Sequence, residues 1–193
     1  MEQKANKGPL PDGKIITIPN VLSFFRICLI PLIAWLYLSE GNSHWAGYML
    51  LLSGVTDVVD GFIARTFHMT SDLGKILDPI ADKLTQATML ICLMIRYPLM
   101  LAPLVLLVVK ELFMAMSGLQ VIRKTGVVPG ANWHGKAATC LLYATMFLHI
   151  FWRELPAYVS TLSILACSAM VLLSFALYGI RNLKILRGNE AHL

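Results

Sequence analysis

Six apolar runs of helical length occupy most of this 193-residue chain, at positions 21–38, 46–64, 79–95, 99–122, 137–152 and 157–180. A helix that crosses a bilayer needs about 20 mostly apolar residues, so the length admits roughly five to seven crossings and little besides. Hydrophobic residues make up 57% of the chain and charged residues 14%, where a soluble domain carries roughly 25% charged. The expected fold is therefore all-α and integral to the membrane, with six transmembrane helices in one domain. The fifth run is short for a span, so its flanks are expected at the interface. No internal repeat or low-complexity tract interrupts the pattern.

The formal net charge is +5. The basic residues cluster at the ends of the apolar runs and not on a polar face, which argues against nucleic acid and for membrane orientation. With the N-terminus inside, one side of the membrane carries Lys4, Lys7, Lys14, Arg65, Lys75, Arg123, Lys124, Lys136, Arg181, Lys184 and Arg187. The other side carries only Arg96 and Arg153. This asymmetry places both termini, and the loop between the second and third runs, in the cytoplasm of a multi-pass cell-membrane protein. Residues 1–20 then read as a cytoplasmic or interfacial tail, 21–187 as the helical domain and 188–193 as a C-terminal tail. The polar start, Met1 to Lys14, lacks the apolar core and cleavage site of a signal peptide. Ile18-Pro19-Asn20 breaks the chain before the first run, with Asn20 a candidate N-cap. Residues 13–17 suit either a membrane-surface segment or a flexible linker. Cys28, Cys92, Cys140 and Cys167 are widely spaced in apolar stretches, without zinc-ligand spacing, and read as small packing residues.

Five of the eleven acidic residues fall between Asp57 and Asp82. Ionisable groups at membrane depth are expensive and need compensation. Asp57 and Asp60 are three positions apart and Asp78 and Asp82 four, so each pair shares one helix face. A short loop from Thr66 to Lys75 would join the two helices as antiparallel neighbours, turning the acidic faces toward each other. Nothing nearby in the sequence pairs so many acids, and four carboxylates in one volume repel unless cations neutralise them. Oxygen-only ligands favour hard cations such as Mg²⁺ or Mn²⁺, and two such ions suit phosphoryl chemistry. Gly61 and Ala64 keep the adjacent wall low, Arg65 offers charge to a phosphate, and Gly74 opens the start of the third run. Asp72 reads as a loop or cap residue.

The window Asp57-Val58-Val59-Asp60-Gly61-Phe62-Ile63-Ala64-Arg65, eight residues, Gly74-Lys75-Ile76-Leu77-Asp78-Pro79-Ile80-Ala81-Asp82 resembles the motif of the CDP-alcohol phosphatidyltransferases, D-x2-D-G-x2-A-R-x8-G-x3-D-x3-D, at every fixed position. That resemblance implies six spans with the motif on the second and third. It implies two divalent cations on Asp57, Asp60, Asp78 and Asp82 at the cytosolic side. CDP would lie along Asp60, Gly61, Ala64, Arg65 and Gly74, with Asp82 as general base. The substrates would be CDP-diacylglycerol, with its acyl chains in the membrane lipid, and a small or lipid alcohol, and the assembly a homodimer.

The stretches Ile18 to Arg26 and Leu77 to Lys83 resemble phosphatidylglycerophosphate synthases, and cardiolipin synthases of the same family share both. Arg26, about a turn and a half inside the first run, is expected to face the polar cavity. Lys110-Glu111 stands in the fourth run, and one of the two is expected to reach that cavity. Ser117 to Gln120 and Gly135-Lys136 resemble glycerophosphate-using enzymes, but Lys110 and Gln120 stand where those enzymes usually carry arginine. Arg123, Lys124 and Lys136, with His134 nearby, could bind an acceptor phosphate; they serve equally well as positive-inside charges. His68 and His134 read as loop residues. The leading expectation is transfer to glycerol 3-phosphate, with phosphatidylglycerol as the alternative acceptor and inositol phosphate or serine behind them. A cation transporter would place matching acids in two repeated halves, and a non-catalytic scaffold would have lost a motif aspartate. Neither pattern is present.

Overall fold

The computed structural model describes residues 18–39, 43–66, 72–125 and 132–186, apart from the side chains of residues 18, 19, 60, 63–65, 72–76 and 125. Among the described residues are six α-helices: α1 (Ile18–Leu38), α2 (Ser43–Thr66), α3 (Asp72–Arg96), α4 (Leu101–Thr125), α5 (Trp133–Phe151) and α6 (Ala157–Leu186). A single 3-10 turn, Pro98–Met100, leads into α4. Each expected apolar run lies within or against one of these helices. Helices α1, α4 with its leading turn, and α6 are long and apolar enough to cross a membrane by length and composition. Helices α2 and α3 carry the acids, which lowers their hydropathy without shortening them.

Helix α1 packs along both α2 and α3, and α6 packs along both α4 and α5. The two halves meet where α3 touches α4 and α5, and where α2 touches α5. Among the described residues α2 and α3 hardly touch each other. The expectation that they face each other directly is therefore corrected: α1 lies between them. The core joins Leu29 and Ile33 of α1, Leu50 of α2, Leu93 of α3, Leu142 and Met146 of α5, and Ile164 of α6. Outside, the bundle shows large apolar side chains, among them Trp35, Val58, Ile95, Leu112 and Leu162. An apolar exterior around a core that also buries Ser23, Gln86, His149 and Asn182 is the arrangement a lipid solvent favours.

Helix ends depart from the hydropathy pattern in a consistent way. Helix α1 already includes Ile18, so Asn20 lies in its first turn and is not the N-cap; it is buried. Proline is tolerated in a first turn because the missing N–H has no intrahelical acceptor there. Asp72 to Lys75 belong to α3 and not to a loop. His134 is likewise helical, in the first turn of α5, and buried. Residues 67–71, with His68, and the termini 1–17 and 187–193 lie outside the described residues. Cys92 and Cys167 pack in the core as expected, whereas Cys28 and Cys140 are exposed on the apolar exterior.

The α2–α5 contact depends on a missing side chain. A Cβ at Gly47 would stand 2.6 Å from the Phe151 ring and 2.9 Å from Ile150 Cγ2. At Gly54, two turns further along α2, a Cβ meets nothing within 4 Å. Gly47→Ala is expected to cost about 1–3 kcal/mol by overpacking, lowering the thermal midpoint in detergent by roughly 2–4 °C per kcal/mol. Gly54→Ala should leave the midpoint unchanged or raise it. Equal responses of the two variants would disprove the close-approach reading.

Candidate active site

Ser23 and Arg26, three positions apart on α1, share one helix face and are almost wholly buried. That face looks toward the acids of both neighbouring helices. Arg26 Nη1 donates to Asp57 Oδ1 of α2 at 2.5 Å, and Nη2 lies 3.6 Å from Asp78 Oδ1 of α3. Ser23 Oγ also donates to Asp78 Oδ1. One guanidinium thus draws together carboxylates from two helices that barely meet. Arg26 supplies a partner for two of the four acids, Asp57 and Asp78, and its position in the polar interior agrees with its depth in α1.

Asp82 is held differently. It lies one turn beyond Asp78 on α3, and both its oxygens accept hydrogen bonds from neutral groups. Tyr143 Oη of α5 donates to Oδ1 at 2.8 Å, and Gln86 Nε2 donates to Oδ2 at 3.0 Å. Lys83 Nζ stands 4.0 Å from Oδ2. The same ammonium pairs with Glu111 Oε1 of α4 at 3.2 Å, and Lys110 Nζ reaches that oxygen at 3.1 Å. A short chain of charges, Asp82–Lys83–Glu111–Lys110, therefore crosses the seam between α3 and α4. Lys110 is buried, while Lys83, Glu111 and Asp82 are half-buried.

Several sequence-derived site residues lie apart from this centre. Arg123 and Lys124 occupy the last turn of α4, about 18 Å along the helix from Glu111. Lys124 Nζ donates to the Leu186 carbonyl at the end of α6. Lys136 is exposed in the first turn of α5. No described contact of these three reaches an aspartate of α2 or α3. His134 bonds Ser174 Oγ at 3.3 Å and packs on the Tyr178 ring, a structural placement. Gln120 is exposed. Asp60, Ala64, Arg65 and Gly74 are helical, but their side chains lie outside the described residues, and Gly61 is half-buried on α2.

Comparison with known proteins decides the kinship. Residues 16–178 match the family model described as CDP-alcohol phosphatidyltransferase. The chain belongs to that family. A cardiolipin synthase (CMP-forming) of Streptomyces coelicolor is 41% identical over 140 residues, covering 68% of this chain and 64% of the relative. A CDP-diacylglycerol–glycerol-3-phosphate 3-phosphatidyltransferase of Bacillus subtilis is 33% identical over 162 residues, covering 75% of this chain and 83% of that protein. A fission-yeast fusion of cardiolipin synthase with a mitochondrial hydrolase is 45% identical over 100 residues, only 16% of its length. The chain thus matches less than two thirds of the length of the first and third of these relatives.

The family uses divalent cations, and the donor set fits them in part. Asp57, Asp78 and Asp82 offer oxygen donors, and positive charge already gathers two of them around Arg26. Among the described residues no three acidic, histidine or cysteine side chains converge closely enough to ligate one ion as they stand. Arg26 occupies the position of the counter-charge.

Removing that charge should be felt first in the absence of metal. Arg26→Met removes the counter-charge that Asp57 and Asp78 share among the described residues. With a chelator present it is expected to cost about 1–3 kcal/mol, discounted from a fully buried pair because both acids are partly exposed. Added Mg²⁺ should restore more stability to Arg26→Met than to the native chain. Thermal unfolding with and without chelator measures both quantities, and a metal-independent deficit would contradict the charge-compensation reading.

Proposed function

We propose that this chain transfers the phosphatidyl group of CDP-diacylglycerol to glycerol 3-phosphate, giving phosphatidylglycerophosphate and CMP. The observation that carries the reading is the gathering of Asp57 and Asp78 around Arg26, with Asp82 one turn further on, inside the window that carries the family's motif. Asp57, Asp60, Asp78 and Asp82 would hold two Mg²⁺ or Mn²⁺ ions. When bound, these ions supply electrostatic stabilisation of the attacking and leaving oxygens.

The chain's own residues do the rest. Tyr143 and Gln86 hold the Asp82 carboxylate in one orientation without neutralising it. Asp82 takes the proton of the acceptor hydroxyl as that oxygen forms its bond to the β-phosphorus; the bond from that phosphorus to the bridging oxygen breaks and CMP leaves. Asp60, Gly61, Ala64, Arg65 and Gly74 line the CDP moiety. Lys83, 4.0 Å from Asp82, and Lys110, joined to it through Glu111, steer the acceptor. Arg123, Lys124 and Lys136 stand at the mouth and attract a phosphorylated acceptor. Supporting the reading, the chain covers 83% of the length of the Bacillus glycerophosphate enzyme.

All six helices span the bilayer, both termini and the aspartates face the cytoplasm, and the protein works as a homodimer. The positive-inside asymmetry of the sequence supports this orientation. A second reading, cardiolipin synthesis with phosphatidylglycerol as acceptor, is favoured by the 41% identity to the Streptomyces enzyme and by an uncharged Gln120.

CMP release from CDP-diacylglycerol with Mg²⁺ or Mn²⁺, each acceptor added singly, separates the two. Release dependent on glycerol 3-phosphate establishes the first reading, and release with phosphatidylglycerol alone establishes the second. No release by folded, metal-loaded protein would remove the activity itself. Asp82→Asn should abolish turnover while leaving CDP-diacylglycerol binding largely intact. Lys83→Met is expected to raise the acceptor KM about tenfold, equivalent to about 1.4 kcal/mol, with a smaller effect on the KM for CDP-diacylglycerol. Near-normal turnover of Asp82→Asn would remove Asp82 as base.

A further inference from the structure

At the opposite end of the bundle from the aspartates lies a cavity of about 260 Å³. Its walls include Tyr37 and Ser39 at the end of α1, Ser43 at the start of α2, Arg96 at the end of α3, and His149 and Arg153 at and beyond the end of α5. Along α3 alone, Arg96 is fourteen residues past Asp82, about 21 Å. The cavity is therefore separate from the site described above.

Both arginines are held in place. Arg96 Nη2 donates to the Arg153 carbonyl at 2.8 Å, and its guanidinium lies over the Tyr97 ring at 5.7 Å. Arg153 Nε and Nη2 both donate to Ser43 Oγ, at 3.1 and 2.8 Å. None of these acceptors carries a negative charge. Among the described residues neither arginine has a carboxylate within ion-pair distance. Two like charges are thus fixed on one cavity, with guanidinium donors to spare and no counter-ion among the described residues. The wall beside them is also set: His149 Nδ1 bonds the Thr145 carbonyl and Nε2 bonds Ser160 Oγ, so its ring is engaged on both sides.

A plain membrane anchor explains less. An anchoring arginine extends its charge into the headgroup region, whereas these two fold back onto the chain's own carbonyl and hydroxyl beside a cavity. Their forked donors match phosphate oxygens, and the Tyr37 and Ser43 hydroxyls add neutral partners. We propose that this cavity binds a phosphate-bearing anion, of the kind presented by an anionic phospholipid headgroup or by free phosphate, at a site distinct from the carboxylate centre.

Thermal unfolding of the purified full chain in detergent, followed by tryptophan fluorescence with divalent metal chelated, tests this. The probes are short-chain phosphatidylglycerol, short-chain phosphatidylcholine and inorganic phosphate. Near-saturating phosphatidylglycerol is expected to raise the midpoint by about 5 °C, and phosphatidylcholine to leave it unmoved. A rise with the lipid alone assigns the site to a lipid headgroup, whereas a matching rise with inorganic phosphate assigns it to the free anion. The rise should vanish in Arg96→Gln/Arg153→Gln. It should also vanish in Ser39→Asp, which keeps both arginines and supplies an internal counter-ion. A double variant that is merely less stable, with an undiminished response to the probe, would overturn the proposal. So would an undiminished response in Ser39→Asp, or no response of the native chain to either anion.

Discussion

The ion pairs of Arg26 with Asp57 and Asp78 are what the first half of this bundle is organised around. A carboxylate at membrane depth costs several kcal/mol if left alone, and α2 and α3 present theirs on faces that hardly touch. One guanidinium reaches both because α1 runs between them. Its planar fork lets two nitrogens address two acceptors, which a lysine ammonium, a single point charge, cannot do as well. Ser23, one turn before Arg26, adds a neutral donor to Asp78. Leu29 and Ile33 continue α1 into the core and fix the depth at which the guanidinium sits. Helix α1 is therefore a strut as well as a candidate span.

Asp82 stands outside this arrangement. Its hydrogen-bond partners, Tyr143 and Gln86, carry dipoles and not charges. They orient the carboxylate, and the described ammonium facing it, Lys83 at 4.0 Å, is shared with Glu111. Asp57 and Asp78 are charge-compensated by α1, and Asp82 is positioned by α5 and by its own helix. Two kinds of support within one turn of α3 suit two kinds of work: holding a cation, and receiving a proton. Tyr143 also ties the two halves of the bundle together at Asp82.

Much of this was legible in the sequence. The six helices follow the six apolar runs, and the paired aspartate spacings mark the candidate site. Helix ends were legible only where hydropathy and helicity fall together. They part company at Asp72 to Lys75, at Trp133 to Lys136 and at Arg181 to Leu186, where charged residues continue the backbone hydrogen bonding beyond the apolar run. Lysine and arginine are good helix formers, so a polar residue ends a span without ending a helix. Arg26 could be placed in the interior from its depth, and Gln86 could have been found four positions after Asp82. Tyr143 could not, since it lies 61 positions away and nothing local marks it as facing an acid. The face-to-face packing of α2 and α3 was wrong for the same reason: a short connection implies proximity of ends, not contact of faces.

The acceptor turns on charge at the seam between α3 and α4. Lys83 and Lys110 share Glu111, and Lys83 also faces Asp82, so the four charges of this cluster sum to zero. A phosphodiester acceptor brings one negative charge to it. A phosphomonoester brings between one and a half and two, and needs a further cation. Gln120 does not provide one, and no described contact of Arg123, Lys124 or Lys136 reaches the carboxylates. On the proposed reading, transfer to glycerol 3-phosphate draws that charge from groups beyond this cluster, the two divalent ions included, whereas transfer to a lipid phosphodiester asks less of them. The two readings therefore differ in how much positive charge the acceptor's phosphate must meet.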